Sequence, residues 1–202
     1  FNKDVLKNKT QFEELFYIQL NILRYAKDRQ RKYRGFCFEK VGVIFNTFYS
    51  QNLPFQLTNA QKRVIKEIRK DMGSGRQMNR LLQGDVGSGK TAVAAAACYF
   101  AFENGMQSAL MAPTAILALQ HYNTLSQFLE PLGVNVCLLT GSLTPKKKNA
   151  VKEKIASGEV NVVVGTHAII QSDTIFQKLG LVITDEQHRF GVAQRTALAE
   201  KG

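Results

Sequence analysis

Several features that are scarce or missing in this sequence narrow its class. It has three cysteines in 202 residues, Cys37, Cys98 and Cys137, and their odd number and spacing fit neither a disulfide framework nor a zinc site. The longest apolar run, from Thr91 to Phe102, is about half of what a membrane-spanning helix requires. No cationic and apolar leader precedes a cleavage site. We therefore expect a globular protein of a reducing cytoplasm that has no membrane partner.

Acidic residues are scarce in the first part of the chain. Residues 1–80 hold 17 Lys and Arg against 7 Asp and Glu, a net charge of +10, whereas residues 81–202 hold 10 against 9. Such an excess attracts polyanions and makes any binding to them salt-dependent. A solubilising surface explains the same excess equally well, so charge alone does not decide between the two.

The amino-terminal part predicts a helical extension. Apolar residues recur at three- and four-residue spacing over residues 8–34, which indicates a helix that ends in a basic stretch, and residues 36–49 are predicted to form a second helix. A polar, proline-containing joint follows, and we place a domain boundary there, between 1–50 and 51–202. Because the first residue is Phe1 and not Met, we expect a piece of a longer polypeptide.

From residue 58 onward, short apolar runs alternate with helix-like stretches. The predicted strands lie at 80–83, 108–112, 136–140, 160–165 and 180–184, and the predicted helices at 89–104, 113–130 and 144–157. Runs such as Val162–Val164 do not alternate with polar residues, so they suit strands covered on both faces. This repeated βαβ pattern predicts an α/β fold, with a mainly parallel sheet flanked by helices and ligands at the carboxyl ends of its strands.

The segment "GDVGSGKT" matches the phosphate-binding pattern G-x-x-x-x-G-K-[ST]. Its glycines allow backbone N–H groups to converge on phosphate oxygens, and the helix that follows adds its positive end. Lys90 can reach the terminal phosphates, and the Thr91 hydroxyl can ligate Mg²⁺. A glycine turn with an exposed lysine is the alternative. The pattern favours ATP and Mg²⁺ as cofactors, with the nucleotide bound by Gly84, Asp85, Val86, Gly87, Ser88, Gly89, Lys90 and Thr91.

Two acids, Asp185 and Glu186, follow the apolar run at 180–184. By itself an acid in this position is often only a helix cap. Together with the phosphate-binding segment it predicts more, because such sites need a second metal-holding acid on another strand. Asp185 and Thr91 would hold Mg²⁺, and Glu186 would orient or deprotonate the attacking water. The predicted catalytic residues are therefore Lys90, Asp185 and Glu186.

Five segments carry a family resemblance. In order they are "GDVGSGKT", "APTAILALQH", "LTGS", "GTHAII" and "TDEQHRFGVAQR". Their order and spacing resemble those of superfamily 2 helicases, strongly over residues 53–202, and the D-E-Q-H form differs from the D-E-A-D proteins that act on RNA. The residues within these segments resemble those of bacterial helicases that act on branched DNA. The transcription-repair coupling factor and the replication restart helicase are similar over the same region and remain alternatives.

The resemblance implies a RecA-like P-loop NTPase lobe of an ATP-driven translocase on double-stranded DNA. Such an enzyme would remodel stalled forks and Holliday junctions near the bacterial nucleoid. It implies that Gln187, His188 and Arg189 couple the nucleotide to a second lobe. It also implies a DNA track lined by Pro113, Thr114, Gly141, Ser142, Thr166 and His167. Without the resemblance these six would be read as ordinary strand-to-helix turns, and Ala115 departs from the acid that relatives usually carry there.

The segment "LPFQLTNAQ" has two interpretations. Thr58 followed three residues later by Gln61 is a capping box, which explains both residues without a ligand. The resemblance implies instead that Gln61 reads the adenine edge, with Phe55 or Leu57 packed nearby. Other residues are expected to have structural roles. Lys146–Lys148 with Lys152 indicates a solvated helix face. His121 and Cys98 are assigned to packing.

Taken together, these patterns predict a basic helical linker over 1–50 and an ATP-binding helicase lobe over 51–202. The resemblance implies two further parts of the same polypeptide, a DNA-binding wedge domain and a second helicase lobe that supplies an arginine finger. We therefore expect the 202-residue chain alone to bind MgATP weakly and to hydrolyse it poorly. The alternatives are a non-catalytic fragment that binds DNA or a protein partner, and a P-loop enzyme of small molecules. Its oligomeric state is left open.

Overall fold

The computed structural model describes residues 16, 17, 19, 20, 35–39, 55–85 and 87–186. In chain order the helices and strands from residue 59 onward are α1 (Asn59–Met72), α2 (Lys90–Glu103), β1 (Gln107–Met111), α3 (Ala115–Leu129), β2 (Val136–Leu139), α4 (Pro145–Ala156), β3 (Val162–Gly165) and β4 (Leu179–Thr184). Short 3-10 turns cover Glu130–Leu132 and His167–Ile170. This alternation confirms the predicted α/β fold.

The four strands form one parallel sheet in the order β2-β3-β1-β4. Ser108 of β1 pairs with Val162 of β3 on one side and with Leu181 of β4 on the other, and Val136 of β2 also pairs with Val162. All three pairings are parallel, so every carboxyl end lies on the same edge of the sheet. That edge is called the carboxyl edge below.

Helices cover both faces of the sheet, as the unbroken apolar runs predicted. Val162 and Val164 belong to a core shared with α1, α2 and α3, whereas Val163 belongs to a second core shared with α4. Successive side chains of a strand point to opposite faces, so a strand buried on both sides needs apolar residues at every position. Cys98, on α2, is fully buried in the first of these cores, which confirms its assignment to packing, and this burial raises the pKa of its thiol to about 12.

The predicted strand at 80–83 is not present. These residues form no regular secondary structure and pair with no strand, and the Leu81 side chain is 67% exposed. Arg80, at the start of this segment, is held on α1 instead, with its Nη1 2.7 Å from a Glu67 carboxylate oxygen and its Nη2 2.7 Å from one of Asp71. The apolar pair at 81 and 82 indicated a strand, but these ion pairs hold its first residue against a helix.

The amino-terminal prediction is only partly covered. Residues 16, 17, 19 and 20 are helical, as expected, and the rest of 8–34 lies outside the described residues. The beginning of the predicted second helix is wrong, since residues 36–39 are not helical and the Phe38 N–H donates to the Met72 carbonyl at the end of α1 (3.2 Å). Phe38 is buried and stacks on Phe100 of α2, with ring centroids 6.0 Å apart. Residues 40–54 lie outside the described part.

One lysine of α4 departs from the predicted solvated face. Lys146 and Lys147 are exposed, as expected, but Lys152 is buried and its Nζ lies 2.5 Å from a carboxylate oxygen of Asp173. Lys152 and Ile155 are the buried residues of α4, and Val151 packs against the same core. Within the described residues, no helix is both long enough and apolar enough to cross a membrane.

Candidate nucleotide and nucleic-acid site

Predicted functional residues from several elements lie at the carboxyl edge in the described part of the chain. Backbone hydrogen bonds continue past the strand ends there: the Ala112 N–H donates to the Gly165 carbonyl (2.8 Å), and the Asp185 N–H donates to the Met111 carbonyl (2.9 Å). Helix α2 packs on β1 and β4 and connects directly to the amino end of β1, so its own first residue, Lys90, lies at the opposite end, the carboxyl edge. The phosphate-binding segment and Asp185 therefore occupy the same edge.

The phosphate-binding segment has the backbone that its glycines predicted. Gly87 and Gly89 have φ of 81° and 78°, in the left-handed region that favours glycine. A Cβ on Gly84 would lie 2.7 Å from the Ser88 hydroxyl, so that side chain would have to move to admit a larger residue. Lys90 Nζ donates to the carbonyl oxygens of Gly84 (2.7 Å) and Asp85 (2.8 Å). These contacts hold the ammonium group over the loop that would surround the phosphates.

Gln61 connects α1 to this loop. The capping box is confirmed, because the Gln61 N–H donates to the Thr58 hydroxyl (3.2 Å) and the Thr58 N–H donates to Gln61 Oε1 (2.8 Å). Gln61 Nε2 is then free of the box and donates to the Ser88 carbonyl at 2.8 Å. Leu57 is buried in the core, and Phe55 makes an edge contact with Phe128 at 6.2 Å. The adenine contact of these residues stays a prediction.

The two acids after β4 have different surroundings. Asp185 accepts a hydrogen bond from the Glu186 N–H (3.0 Å) and lies 2.8 Å from His121 Nε2 of α3. Glu186 is the one non-glycine residue in the described part with a positive φ, 47°. The left-handed conformation is unfavourable in free energy for any residue that has a Cβ atom. Such strain is often found at functional sites.

His121 was assigned to packing, and that assignment is wrong. Its Nε2 forms a hydrogen bond with an oxygen of Asp185, the predicted metal ligand. A signal for this was present in the sequence: Ala118, Leu125 and Phe128 form the buried stripe of α3, and His121 is the polar residue on the same stripe. A polar group in an apolar stripe needs a partner, but spacing could not say that the partner would follow a strand far along the chain.

Arg80 is the second residue that the sequence did not single out. Its hydrogen bonds with Asp71 and Glu67 raise the pKa of the guanidinium above its already high value, with Asp71 the larger cause. It stays charged and fastens the chain to α1 shortly before Gly84. Nothing in the local pattern distinguishes this arginine from the many other cations of the amino-terminal part.

A magnesium site here would not be an all-protein cage. In the described residues no three His, Cys, Asp or Glu side chains form a group that could hold a metal ion. Mg²⁺ in nucleotide sites usually takes one or two protein ligands, with phosphate oxygens and water completing the set. A hydroxyl from Thr91 and a carboxylate from Asp185 fit that requirement, and both come from elements that end or begin at the carboxyl edge.

The six predicted DNA-binding residues lie on the same edge, one pair after each of three strands. Pro113 and Thr114 follow β1, Gly141 and Ser142 follow β2, and Thr166 and His167 follow β3. Thr114 also caps α3, since its hydroxyl accepts from the Leu117 N–H at 3.2 Å. The Ser142 hydroxyl lies 2.9 Å from that of Thr140. The strand order places these pairs on β2, β3 and β1, with Asp185 beyond them on β4.

Four predicted site residues lie outside the described part of the chain. Val86 belongs to the phosphate-binding segment, and Gln187, His188 and Arg189 follow Glu186. Their roles in nucleotide binding and in coupling to a second lobe stay predictions.

Comparisons with known proteins agree on one family. The family model described as "DEAD/DEAH box helicase" matches residues 58–201. The ATP-dependent DNA helicase RecG of Thermotoga maritima is 48% identical over the whole chain, and that of Bacillus subtilis is 49% identical over 95% of it. The chain spans 26% and 28% of those two proteins, about a quarter of their length.

Solved structures agree with the sequence comparisons. A structure described as RecG bound to a three-way DNA junction superimposes with a TM-score of 0.80 at 48% identity, covering 89% of this chain and 24% of that one. The UvsW helicase of bacteriophage T4 superimposes with a TM-score of 0.57 at 18% identity over 78% of the chain, which supports the fold alone. The chain therefore belongs to the DEAD/DEAH box helicase family. The relatives named above that match all or nearly all of this chain are RecG helicases.

Proposed function

We propose that this chain is the ATP-binding lobe of a DNA helicase that couples ATP hydrolysis to the remodelling of branched DNA, such as stalled forks and Holliday junctions. The observation that best supports the proposal is that Lys90, the first residue of α2, and Asp185, which follows β4, lie at the same edge of the sheet. The three predicted DNA-binding pairs follow strands that end on that edge. The solved RecG bound to a three-way junction supports branched DNA as the substrate class.

The residues of the nucleotide half of the site are suited to binding phosphate groups. Gly87 and Gly89 turn the loop so that its N–H groups can face the phosphate oxygens, and Lys90 is already held over that loop. Thr91 and Asp185 would hold Mg²⁺, which supplies charge neutralisation on the transferred phosphoryl group. Glu186, next to Asp185, would orient the attacking water and take up its proton.

The DNA half would grip backbone and not bases. Hydroxyls, small residues and backbone amides can bind phosphates and sugars in any sequence, and they fix position without reading it. Thr114, Ser142 and Thr166 supply hydroxyls at three successive strand ends. The basic character of residues 1–80 would add sequence-independent attraction that weakens as salt rises.

The test is Lys90→Ala in the full-length protein. We expect ATP turnover to be lost on forked DNA while binding of the fork, followed by fluorescence anisotropy, is retained. Lys178→Ala is the matched control, because Lys178 is an exposed lysine that precedes the amino end of β4, away from the carboxyl edge. It should keep both properties.

Two results would contradict the proposal. If Lys90→Ala lost fork binding and turnover to the same extent, the lysine would be supporting the fold and not the phosphates. If the unaltered protein bound no fluorescent ATP analogue at millimolar concentration with Mg²⁺, a non-catalytic binding role would replace the enzymatic one. Greater stimulation of ATPase activity by forked than by linear DNA is the result expected for a helicase of branched DNA.

A further inference from the structure

A polar pair joins helix α3 to the end of strand β4. His121 Nε2 lies 2.8 Å from Asp185 Oδ2, within the distance of a charge-assisted hydrogen bond, and both side chains are partly shielded from solvent, at 18% and 33% exposed. An ionised carboxylate can only accept, so the Nε2–H of the imidazole is the donor. The pair therefore links two elements that are far apart in the sequence.

The position of His121 is set by the packing of α3 and not by the acid. Its neighbours along the same stripe, Ala118 and Leu125, are completely buried, and α3 packs on α2, β2 and β3. Since the stripe is fixed by its apolar contacts, the imidazole can move little relative to the sheet. A donor held in this way can fix the orientation of the carboxylate to which it is hydrogen-bonded.

Asp185 is held at three atoms. Its N–H donates to the Met111 carbonyl, its Oδ1 accepts from the Glu186 N–H, and its Oδ2 accepts from His121. A carboxylate offers about four lone-pair sites, so two hydrogen bonds leave room for a metal ion or its water. Of the two side-chain contacts, the one from Glu186 is local and comes with the backbone turn. The one from His121 is the contact that ties the carboxylate to a separate element.

We propose that His121 is a positioning residue that holds the Asp185 carboxylate in the orientation required to bind the Mg²⁺ of MgATP. This inference rests on the proposed function, because it assumes that Asp185 is a metal-holding acid of a nucleotide site. Outer groups that hydrogen-bond to metal ligands fix the orientation of those ligands, and losing one typically costs about 10- to 100-fold in metal affinity. His121 itself does not touch the nucleotide or the metal.

The test compares His121→Leu with His121→Gln in the full-length protein. Leucine suits the apolar stripe of α3 but removes the donor, whereas the glutamine amide can place an N–H near the position of Nε2. Binding of a fluorescent ATP analogue is titrated with Mg²⁺ and, separately, with EDTA. We expect His121→Leu to raise the Mg²⁺ concentration needed for half-maximal binding by about 10- to 100-fold. Its metal-free nucleotide binding should be unchanged, and His121→Gln should recover most of the loss.

Asn123→Leu is the control, since Asn123 is exposed on the same helix and should leave the Mg²⁺ titration unchanged. The positioning role is overturned if His121→Leu titrates like the unaltered protein. It is also overturned if leucine and glutamine are equally impaired, or if EDTA-treated binding falls by the same factor. These results leave the proposed function intact as long as Asp185→Asn abolishes the Mg²⁺ dependence. A protein whose own nucleotide binding ignores Mg²⁺ would overturn both.

Discussion

Single polar side chains hold separate parts of this chain together. Lys152 reaches from α4 to Asp173 in the segment before β4, and Gln107 at the start of β1 donates from its buried amide to the carbonyls of Ile155 and Val160. Buried polar groups of this kind stabilise only when they are paired, and an unpaired one is costly. A substitution that removes the partner and leaves the buried polar group unpaired should therefore lower stability more than a substitution that replaces the buried group itself with an apolar one.

We predict that Asp173→Asn lowers the melting temperature more than Lys152→Met does. The asparagine leaves a buried ammonium group without its counter-charge, whereas methionine removes that charge and keeps most of the volume. Thermal unfolding at neutral pH measures both. Equal melting temperatures for the two variants would contradict the explanation that an unpaired buried ammonium group is destabilising.

The same pair gives a pH dependence. The hydrogen bond from Lys152 lowers the pKa of Asp173 below its usual value. A lowered folded-state pKa means that the contribution is complete above the unfolded value of about 3.9 and is lost as pH falls through the lower folded value. The unaltered protein should therefore lose its stability advantage over Asp173→Asn as pH falls through the folded pKa of Asp173, because a protonated Asp173 no longer supplies the counter-charge to Lys152. Urea titrations of both proteins at stepped acid pH measure this.

A further prediction separates the two roles of Gln61, in the capping box and at the phosphate-binding loop. Thr58→Ala and Gln61→Ala each break the capping box, and each should lower the free energy of unfolding by about 1 kcal/mol in urea titrations. Only Gln61→Ala also removes the hydrogen bond to the Ser88 carbonyl. It should weaken binding of an ATP analogue by about 2- to 10-fold, the factor carried by a hydrogen bond of about 0.5–1.5 kcal/mol. Equal affinities for the two variants would remove Gln61 from the nucleotide site.

At the scale of elements, strand ends bring distant motifs together. The segments after β1, β2, β3 and β4 are far apart in sequence, yet parallel pairing puts all of them on one edge. The close packing of β3 against β2 at that edge depends on Gly165, since a Cβ there would collide with the Leu139 carbonyl oxygen. Gly165 thus sets the distance between two segments that are predicted to contact DNA.

We predict that Gly165→Ala lowers the free energy of unfolding by about 1–3 kcal/mol, the usual range for overpacking a close contact. Gly141→Ala is the matched control, because a Cβ there meets no atom within 4 Å and Gly141 does not have a positive φ. Chemical denaturation of the two variants checks this. A Gly141→Ala protein that was as destabilised as Gly165→Ala would contradict the packing explanation.

At the scale of the whole molecule, the chain corresponds to only part of the length of its relatives. It spans about a quarter of the RecG helicases that it matches. Transition-state charge in phosphoryl transfer is commonly neutralised by an arginine finger from a facing lobe, and its loss costs about 1,000-fold or more in turnover.

We therefore predict that residues 1–202 alone bind MgATP weakly and turn it over at least about 1,000-fold more slowly than the full-length protein on forked DNA. A coupled ATPase assay with and without DNA measures this, and Lys90→Ala sets the background. Strong DNA-stimulated turnover by the 202-residue chain would show that it holds a complete catalytic site.

Much of this arrangement follows from local pattern. Apolar runs of five or six residues predicted β1 to β4, and the two central strands β1 and β3 are buried at every position, as such runs require. The phosphate-binding segment predicted its own backbone, because only glycine takes a positive φ without strain, as Gly87 and Gly89 do. The capping box at Thr58 and Gln61 is equally local. Order along the chain, short-range spacing and residue type were sufficient for these features.

Only the tertiary structure decided which distant groups would become neighbours. The apolar pair after Arg80 indicated a strand, but the carboxylates of α1 hold that arginine outside the sheet. Lys152 was predicted to be solvated and is buried against Asp173, and His121 was assigned to packing and meets Asp185. Each of these pairings depends on how helices pack on the sheet. That packing joins residues that are far apart along the chain, where spacing and periodicity carry no information.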